Sequence, residues 1–326
     1  MGAATGMTTG GPWAGRCALG AAASAVPLVL FGGSVTTLGA GMAVQGWLIA
    51  EGHFLVFFPV DKWFRDVGTF VEHTHRLFGI LVGLFLLAGL AASWRAGARA
   101  RGWALVTLAA VVAQGALGGF RVLENSPELA FVHGAVAQAV FALLCLNAFT
   151  QSSMAAPRAS LSAPARSAAR GLQPTAWIAL GVLYAQVVIG AWYRHGLRPE
   201  PVEGHMGRFA LHALGAVLVL GALAQLVRRG NELVASGAQL PPRLTRALVW
   251  LPRLLLVQLL LGGLAWAGFR PGALGPAEWL LSIAHVFGGA LLLADTAVIA
   301  LEATRLARGA DANLASSNGQ PAMGAR

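Results

Sequence analysis

Charged residues are scarce in this chain of 326 residues. They make up only 11% of it, and a single lysine is present, whereas 56% of the residues are hydrophobic. A soluble globular protein carries about 25% charged residues, which cover its surface. The composition therefore excludes an ordinary soluble protein and predicts a polytopic membrane protein.

Acidic residues are fewer than basic ones, 13 against 23, which gives a formal net charge of +10. In a soluble chain this excess would suggest a nucleic-acid partner. In a membrane protein it more often reflects arginines in cytoplasmic loops, so we predict no nucleic-acid binding. Cysteine is nearly absent. Cys17 and Cys145 fall on different apolar segments, and we expect no disulfide.

Long apolar runs, in contrast, are plentiful. A helix that crosses a bilayer needs about 20 mostly apolar residues, and eight segments meet this requirement. They lie near residues 18–38, 71–93, 102–120, 129–150, 175–193, 206–227, 246–268 and 278–303. The sequence therefore predicts an all-α fold with eight transmembrane helices, here called the first to eighth spans.

Polar segments divide this chain into two four-helix halves. Residues 151–172, rich in Ala, Ser, Pro and Arg, are expected to form a linker between residues 1–150 and residues 173–304. Residues 305–326 are expected to form a disordered tail. The longest loop, residues 43–70, contains an apolar stretch too short to span. We expect it to lie at the membrane interface or to fold over the first half.

Basic residues predict the orientation, because arginines concentrate in cytoplasmic loops. One side of the spans holds most of them, and this side is predicted to be cytoplasmic. These residues are Arg16, Arg95, Arg99, Arg101, Arg158, Arg166, Arg170, Arg228, Arg229, Arg243, Arg246, Arg305, Arg308 and Arg326. Both termini are then cytoplasmic, and the even spans run from outside to inside. We expect a multi-pass protein of the inner (plasma) membrane.

The odd spans share a repeated pattern of glutamine and glycine. Three of them have Gln and Gly four residues apart, and the first has Leu28 in place of the glutamine. The pairs are Gln114 and Gly118, Gln186 and Gly190, and Gln258 and Gly262, with Leu28 and Gly32 in the first span. Residues four apart share a helix face. We interpret the pattern as close helix packing with one hydrogen bond, in preference to a ligand site.

Each even span carries one histidine near its outer start. They are His75, His133, His212 and His285. All four are expected at similar depth, two in each half.

Polar groups at membrane depth are usually functional, although any one of these histidines could serve only as an interhelical hydrogen-bonding residue. Two facing imidazoles from a helix bundle can hold a haem iron from both sides, and the following glycines leave room for the macrocycle. Zinc would favour cysteine or carboxylate neighbours, whereas copper is not excluded by the spacing.

The second span alone carries a carboxylate one helical turn before its histidine. Glu72 and His75 share a helix face, so Glu72 could orient water or accept protons beside a bound ring. Arg76 could pair with haem propionates; alternatively, Glu72 and Arg76 simply form an ion pair. The asymmetry suggests that the amino-terminal half performs chemistry and that the carboxy-terminal half carries electrons.

The remaining histidines are expected at the periphery. His205 would lie near a propionate, or would replace His212 as a ligand if the sixth helix were shifted. His73 and His195 are expected at the membrane interface, and His53 in the long loop. Asp295 is about 15 Å deeper than His285 at the helical rise per residue, and we expect it near the cytoplasmic end.

These residues together resemble the heme A synthase family. The resemblance rests on eight spans in two halves, on Glu72-x-x-His75-Arg76 and on the single histidines of the other even spans. It implies oxidation of the C8 methyl group of heme O to the formyl group of heme A. His75 and His133 would then bind heme O, with Glu72 as the catalytic carboxylate. A permanent haem b would be bound by His212 and His285.

The resemblance also implies partners. Besides the lipid bilayer and heme O, these are heme O synthase, a terminal oxidase that receives heme A, and a quinone or another electron acceptor. Two other functions are compatible with the residues alone. One is a diheme b-type membrane cytochrome that relays electrons from quinol, and the other is haem delivery to an oxidase.

Overall fold

The apolar runs of the sequence form long helices. A computed structural model describes residues 12–151, 161–197, 202–268 and 274–318, with side chains up to residue 309. Within these residues, eight helices are long and apolar enough to cross a membrane, and a short helix lies between the first two. In chain order the helices are α1 (Pro12–Thr37), α2 (Val60–Trp63), α3 (Val67–Ser93), α4 (Ala98–Leu123), α5 (Pro127–Gln151), α6 (Ala163–His195), α7 (His205–Ala235), α8 (Pro242–Gly268) and α9 (Pro276–Asn318). The prediction of an all-α polytopic membrane protein is confirmed.

Helix packing divides the molecule into two four-helix bundles. In the first, α1 packs against α3 and α5, and α4 packs against α3 and α5. In the second, α6 packs against α7 and α9, and α8 packs against α7 and α9. Each half is therefore a closed ring of four helices. The halves meet where α9 contacts α1 and α5 and where α5 contacts α6.

The predicted linker between the halves is partly helical, and its role as a linker stays a prediction. Helix α6 begins at Ala163, where Ser162 caps it by accepting a hydrogen bond from Ala165 N. The following residues are rich in Ala, Arg and Leu, which favour helix, and Ala165, Ala169 and Leu172 are buried. Serine and proline are common in linkers, but serine at the N-cap and proline in the first turn favour the start of a helix. Composition alone does not show at which of these positions they lie. Residues 152–160 lie outside the described part.

The first part of the predicted disordered tail, up to Asn318, is helical. Helix α9 continues through residue 305 to Asn318. Its extension is supported by a hydrogen-bonded ion pair between Arg305 and Glu302, and Ala307 is buried. These contacts depend on the packing of α9 against other helices, which composition does not reveal. Residues 319–326 lie outside the described part.

The loop between α1 and α3 is folded rather than irregular. Its strands β1 (Ile49–Ala50) and β2 (His53–Phe54) form a hairpin. The turn residues Glu51 and Gly52 both have positive φ, 48° and 83°, as a two-residue hairpin turn of type I′ requires. A 3-10 turn (Leu55–Phe57) follows, and Asp66 then caps α3 by accepting from Thr69 N at 2.8 Å.

This loop has two apolar faces. Val44, Ala50, Leu55 and Phe58 are buried, so one face covers the first bundle. On the other face the large apolar side chains are exposed, up to 78% for Phe57. Exposed apolar side chains at this depth suit the membrane interface. The two expected positions of the loop are therefore compatible, because each uses a different face.

Candidate functional site

The four histidines of the even spans lie at one end of the two bundles, here called the histidine end. Each imidazole packs against a glycine on the preceding long helix. A Cβ atom at that glycine would lie only 2.7–2.9 Å from the ring's Cε1, too close for any larger residue. The pairs are Gly32 with His75, Gly118 with His133, Gly190 with His212, and Gly262 with His285. The glycines of the repeat therefore make room for the histidine rings.

The glutamines of the repeat contact the same histidines. Gln114 Nε2 donates to the His133 backbone carbonyl at 2.8 Å and lies 3.0 Å from Nδ1 of the ring. Gln186 makes the equivalent contacts with His212, at 2.7 and 2.9 Å. Gln258 Nε2 lies 3.5 Å from the ring of His285. The interpretation of the repeat as helix packing was incomplete, because its polar member belongs to the histidine sites.

The first span lacks the glutamine, and a backbone group replaces it. His75 Nδ1 lies 2.9 Å from the Leu28 carbonyl oxygen. A carbonyl only accepts hydrogen bonds, so Nδ1 carries the ring proton and Nε2 keeps its lone pair. A metal-binding histidine is commonly fixed in this tautomer by such a bond. His75 is therefore ready to bind a metal through Nε2.

The histidines form two facing pairs. The ring centres of His75 and His133 are 6.4 Å apart at an interplanar angle of 83°. Those of His212 and His285 are 6.3 Å apart at 89°. Two imidazoles on opposite sides of one iron have their centres about 6.3 Å apart, since each metal–nitrogen bond is about 2.0 Å. Both pairs match this spacing.

Two histidines in each pair suit the iron of a haem, because the porphyrin supplies the remaining ligands of that iron. Among the described residues, no group of three or more His, Cys, Asp or Glu side chains could hold a metal ion. A bare zinc ion needs three or four protein ligands, whereas haem needs only axial ones. The two pairs therefore fit the axial ligation of haem, with one macrocycle for each pair. The glycines that follow the histidines do not provide the expected room, because the Cβ positions of Gly134, Gly215 and Gly288 are occupied by His195, Gln186 and Gln258.

Glu72 lies buried beside the first pair, with a side chain that is 1% exposed. Its Oε2 accepts from Val44 N at 2.9 Å, and its Oε1 accepts from Arg76 Nη2 at 2.7 Å. Arg121 Nη2 lies 3.6 Å from the same Oε1. Breaking a buried ion pair by removing one partner costs about 3–5 kcal/mol. Glu72 is therefore a fixed carboxylate that also holds the loop onto the bundle.

Arg76 forms hydrogen bonds with the loop and with Glu72. Its Nη1 donates to the Gly46 carbonyl at 2.7 Å, and its Nη2 donates to the Val44 carbonyl at 2.8 Å and to Glu72. The alternative interpretation, an ion pair with Glu72, is the one found. A role for Arg76 toward propionates stays a prediction. Arg121, which approaches Glu72 from the end of α4, was missed, because it is distant in sequence from the other site residues.

The peripheral histidines differ in their surroundings. His73 is buried under the loop, between Phe58 and Trp63 at ring-centre distances of 4.7 and 5.1 Å, and its expected depth at the membrane interface stays a prediction. His205 begins α7 with its ring near the Val202 carbonyl. The pair on α7 and α9 uses His212 instead, and the alternative with a shifted helix was wrong.

His53, His195 and Asp295 complete the placement of the predicted polar residues. His53 lies in the loop as expected, edge-on to Phe58. His195 packs between the two halves, against Phe131. Asp295 lies in α9 with its Oδ2 buried and without a hydrogen-bond partner among the described residues.

Comparison with known proteins gives one family. The model of the family described as COX15-CtaA, cytochrome oxidase assembly protein, matches residues 15–198. This range is more than half of the chain and includes the first bundle and α6. No curated protein matches the chain. By this match, the chain belongs to the COX15-CtaA family of cytochrome oxidase assembly proteins, the heme A synthase family.

Proposed function

We propose that the protein is a heme A synthase, which oxidises the C8 methyl group of heme O to the formyl group of heme A. The observation that carries the proposal is the spacing of the two histidine pairs, 6.4 and 6.3 Å between ring centres. Membership of a family of cytochrome oxidase assembly proteins supports it. Heme A would be supplied to a terminal oxidase, and heme O would come from heme O synthase.

The two pairs have different roles in this proposal. His75 and His133 hold the substrate, heme O, because only this pair has a carboxylate one turn away. His212 and His285 hold a permanent haem b. When bound, haem b supplies a one-electron carrier between the substrate site and an external acceptor. The bilayer gives a hydrophobic substrate lateral access to the site.

The reaction needs an electron acceptor. In net terms, a methyl group and one water become a formyl group, four protons and four electrons. We propose a quinone as acceptor, so that two quinones take up the four electrons and become quinols. A lipid-soluble acceptor suits a protein whose site lies between membrane helices.

Glu72 is the proposed catalytic carboxylate. A positioned carboxylate can accept a proton from the reacting group. Oε1 of Glu72 is shared by Arg76 and Arg121, and Oε2 accepts from Val44 N. Protonation at Oε1 would weaken the contacts with the two arginines, and protonation at Oε2 would weaken the contact with Val44 N, so proton transfer at Oε2 is coupled to the contact between the loop and α3.

Pigment analysis tests the proposal. The full chain is produced in a host that makes heme O but no heme A, and extracted pigments are identified by mass. We expect heme A to appear only with the protein. A protein that folds and binds two b-type haems but yields no heme A would contradict the proposal.

A second function, a diheme electron carrier, is favoured by the close similarity of the two pairs. Their ring-centre distances differ by only 0.1 Å and their angles by only 6°. In that case both haems are permanent. Exchange of added heme O into the purified protein distinguishes the two functions, because only the enzyme needs an exchangeable site.

A further inference from the structure

Helix α4 carries an arginine beside the first histidine pair. Gly118, on which the His133 ring packs, and Arg121 are three residues apart and share one face of α4. The corresponding positions in the other units of the repeat hold uncharged residues. They are Val35 in α1, Tyr193 in α6 and Ala265 in α8. A charge at this position of the repeat therefore belongs to the first pair alone.

The guanidinium of Arg121 lies between α3 and the loop. Its Nη2 is 3.6 Å from Oε1 of Glu72, and a Cβ atom at Gly41 of the loop would clash with its Nη1. The positive charge of Arg121 also acts on both rings of the pair, His75 and His133. The guanidinium is therefore placed next to the pair, on the side where Glu72 lies.

The N–H groups of Arg121 are not used within the described residues. An arginine side chain has five N–H donors, and none of those of Arg121 donates a hydrogen bond to another residue of that part of the chain. At 3.6 Å, the contact with Glu72 is too long for a hydrogen bond. Arg76, in contrast, donates to two loop carbonyls and to Glu72. Arg121 is therefore the arginine of this cluster that has donors to offer a ligand.

The charges of Glu72, Arg76 and Arg121 do not cancel. The cluster has one carboxylate and two guanidinium groups, and no second carboxylate of the described residues lies within salt-bridge distance of either arginine. The three side chains are largely buried, at 1%, 9% and 16% exposure. A buried charge without a partner is costly. The cluster therefore suits a ligand that brings one carboxylate.

Heme O has a carboxylate next to its reacting group. The C8 methyl group and the C7 propionate are substituents of the same pyrrole ring. A residue that holds this propionate therefore also fixes the position of the methyl group. Arg121 and Glu72 face each other, so the two neighbouring substituents of heme O match two neighbouring side chains.

We propose that Arg121 binds the C7 propionate of heme O and thereby directs the C8 methyl group to Glu72. This inference rests on the proposed function, because it assumes heme O between His75 and His133. Arginine suits the role, since its planar guanidinium forms charge-assisted and often bidentate hydrogen bonds with carboxylates. Arg121 is then a positioning residue, which selects the C8 methyl group among the methyl groups of the porphyrin.

Titration with selectively esterified ligands tests this inference. Purified full-length protein is titrated, without quinone, with heme O and with its two monomethyl esters, one blocked at the C7 propionate and the other at the C6 propionate. Binding at the amino-terminal site is the optical change that His75→Ala abolishes. We expect the C7 ester to bind more weakly than heme O by about tenfold or more, as for loss of a hydrogen bond to a charged group. The C6 ester should bind more tightly than the C7 ester.

Substitutions locate the effect. Arg121→Gln should weaken heme O binding by a similar factor and remove most of the difference between heme O and the C7 ester, whereas Arg121→Lys should retain part of it. Arg101→Gln is the matched control on the same helix, because the Arg101 guanidinium stacks on Trp94 at 4.9 Å, and it should bind each ligand as the unmodified protein does. The spectrum of the haem at His212 and His285 reports whether each variant is folded.

The outcomes separate the two proposals. Equal affinity of the unmodified protein for heme O and for the C7 ester overturns the inference without any variant, and so do equal penalties for the two esters. An unchanged penalty for the C7 ester in Arg121→Gln also overturns it and leaves the proposed function standing. Absence of any heme O binding that depends on His75 contradicts the proposed function, and the inference fails with it.

Discussion

At the scale of single residues, the glycine opposite each paired histidine leaves little tolerance for substitution. A Cβ atom added to Gly190 or to Gly118 would lie 2.7 or 2.8 Å from the imidazole Cε1 of the opposite histidine. Protein interiors are closely packed and yield little. The ring would have to move, and in the proposed haem sites an iron with short bonds to two fixed rings would not accommodate such a shift.

Gly190→Ala should therefore lose the haem of the second pair. We expect haem retention at His212 and His285 to fall about tenfold or more, with the first site unaffected, as measured by haem content and optical spectra of the purified protein. Gly181→Ala is the matched control on the same helix, because no atom lies within 4 Å of its Cβ position. Equal haem content in both variants would contradict the role of Gly190.

Glu72→Gln should abolish heme A formation while the haem at His212 and His285 remains. A general acid or base contributes about a hundredfold or more to the rate, and glutamine cannot accept a proton in that role. Glu128→Gln serves as control, since Glu128 is exposed at the same end of the same half. Normal heme A yield in Glu72→Gln would refute the assignment.

The sequence was sufficient to predict that the four histidines form two pairs, but not to predict what surrounds them. The four histidines recur at matching positions, and the glutamine and glycine repeat is visible without a structure. Leu28 acts through its backbone carbonyl, which no side-chain pattern reveals. Arg194 reaches residues more than 150 positions away in sequence, Gly33 and Thr37, so its contacts depend on how the two bundles pack.

At the scale of elements, hydrogen bonds and ion pairs of charged side chains hold the loop between α1 and α3 in its fold. Arg65 bonds both oxygens of Glu51 at 3.1 and 2.8 Å and the Ala43 carbonyl at 2.8 Å. The Arg65 hydrogen bond keeps the pKa of Glu51 below its usual 4.5. Hydrogen bonds from Thr69 likewise lower the pKa of Asp66. Both carboxylates therefore favour the folded loop when they are ionised.

Acid should loosen this loop. A carboxylate with a lowered folded-state pKa stabilises the fold above its unfolded pKa, and the stabilisation is lost as pH falls through the folded value. We expect faster hydrogen exchange of residues 43–66 below about pH 4, and Glu51→Gln should raise exchange at neutral pH and reduce the change with pH. If the exchange rates of these amides change with pH only as those of an unfolded peptide do, this account is contradicted.

Element boundaries were predicted less well than the elements themselves. All eight spans were found, because 20 apolar residues are an unambiguous signal. Every helix extends beyond its predicted span at one or both ends, and the largest differences are at Ala163 and Asn318. Polar helix extensions outside the membrane have the same composition as an irregular linker. Only the helix caps and the tertiary contacts distinguish such an extension from a linker.

At the scale of the whole molecule, the two bundles are similar in plan and unequal in chemistry. Both bring two histidines together, and in the first the buried Glu72 lies one helical turn from His75 and a folded loop covers the bundle. The second contributes Tyr193, Arg194 and His195 at the contact between the halves. In the proposed function, a substrate site with a carboxylate would lie next to a permanent haem, so that oxidation and electron removal would take place in adjacent bundles.

The orientation of this assembly in the membrane is a prediction that fusions can test. Arginines should remain on the cytoplasmic side, so reporters fused after residue 326 or within residues 152–160 should be active in the cytoplasm. Reporters fused at residue 125, between α4 and α5, should be active outside. The reverse pattern would place the histidine pairs on the cytoplasmic side and contradict the prediction.

The central claim is that each facing histidine pair holds one haem. The most direct measurement is the haem content of the purified protein, by pigment mass and optical spectrum, in the unmodified chain and in His133→Ala and His285→Ala. We expect His133→Ala to retain only haem b and His285→Ala to lose the haem b signal of the second half. Retention of both pigments in His133→Ala and in His285→Ala would contradict the account.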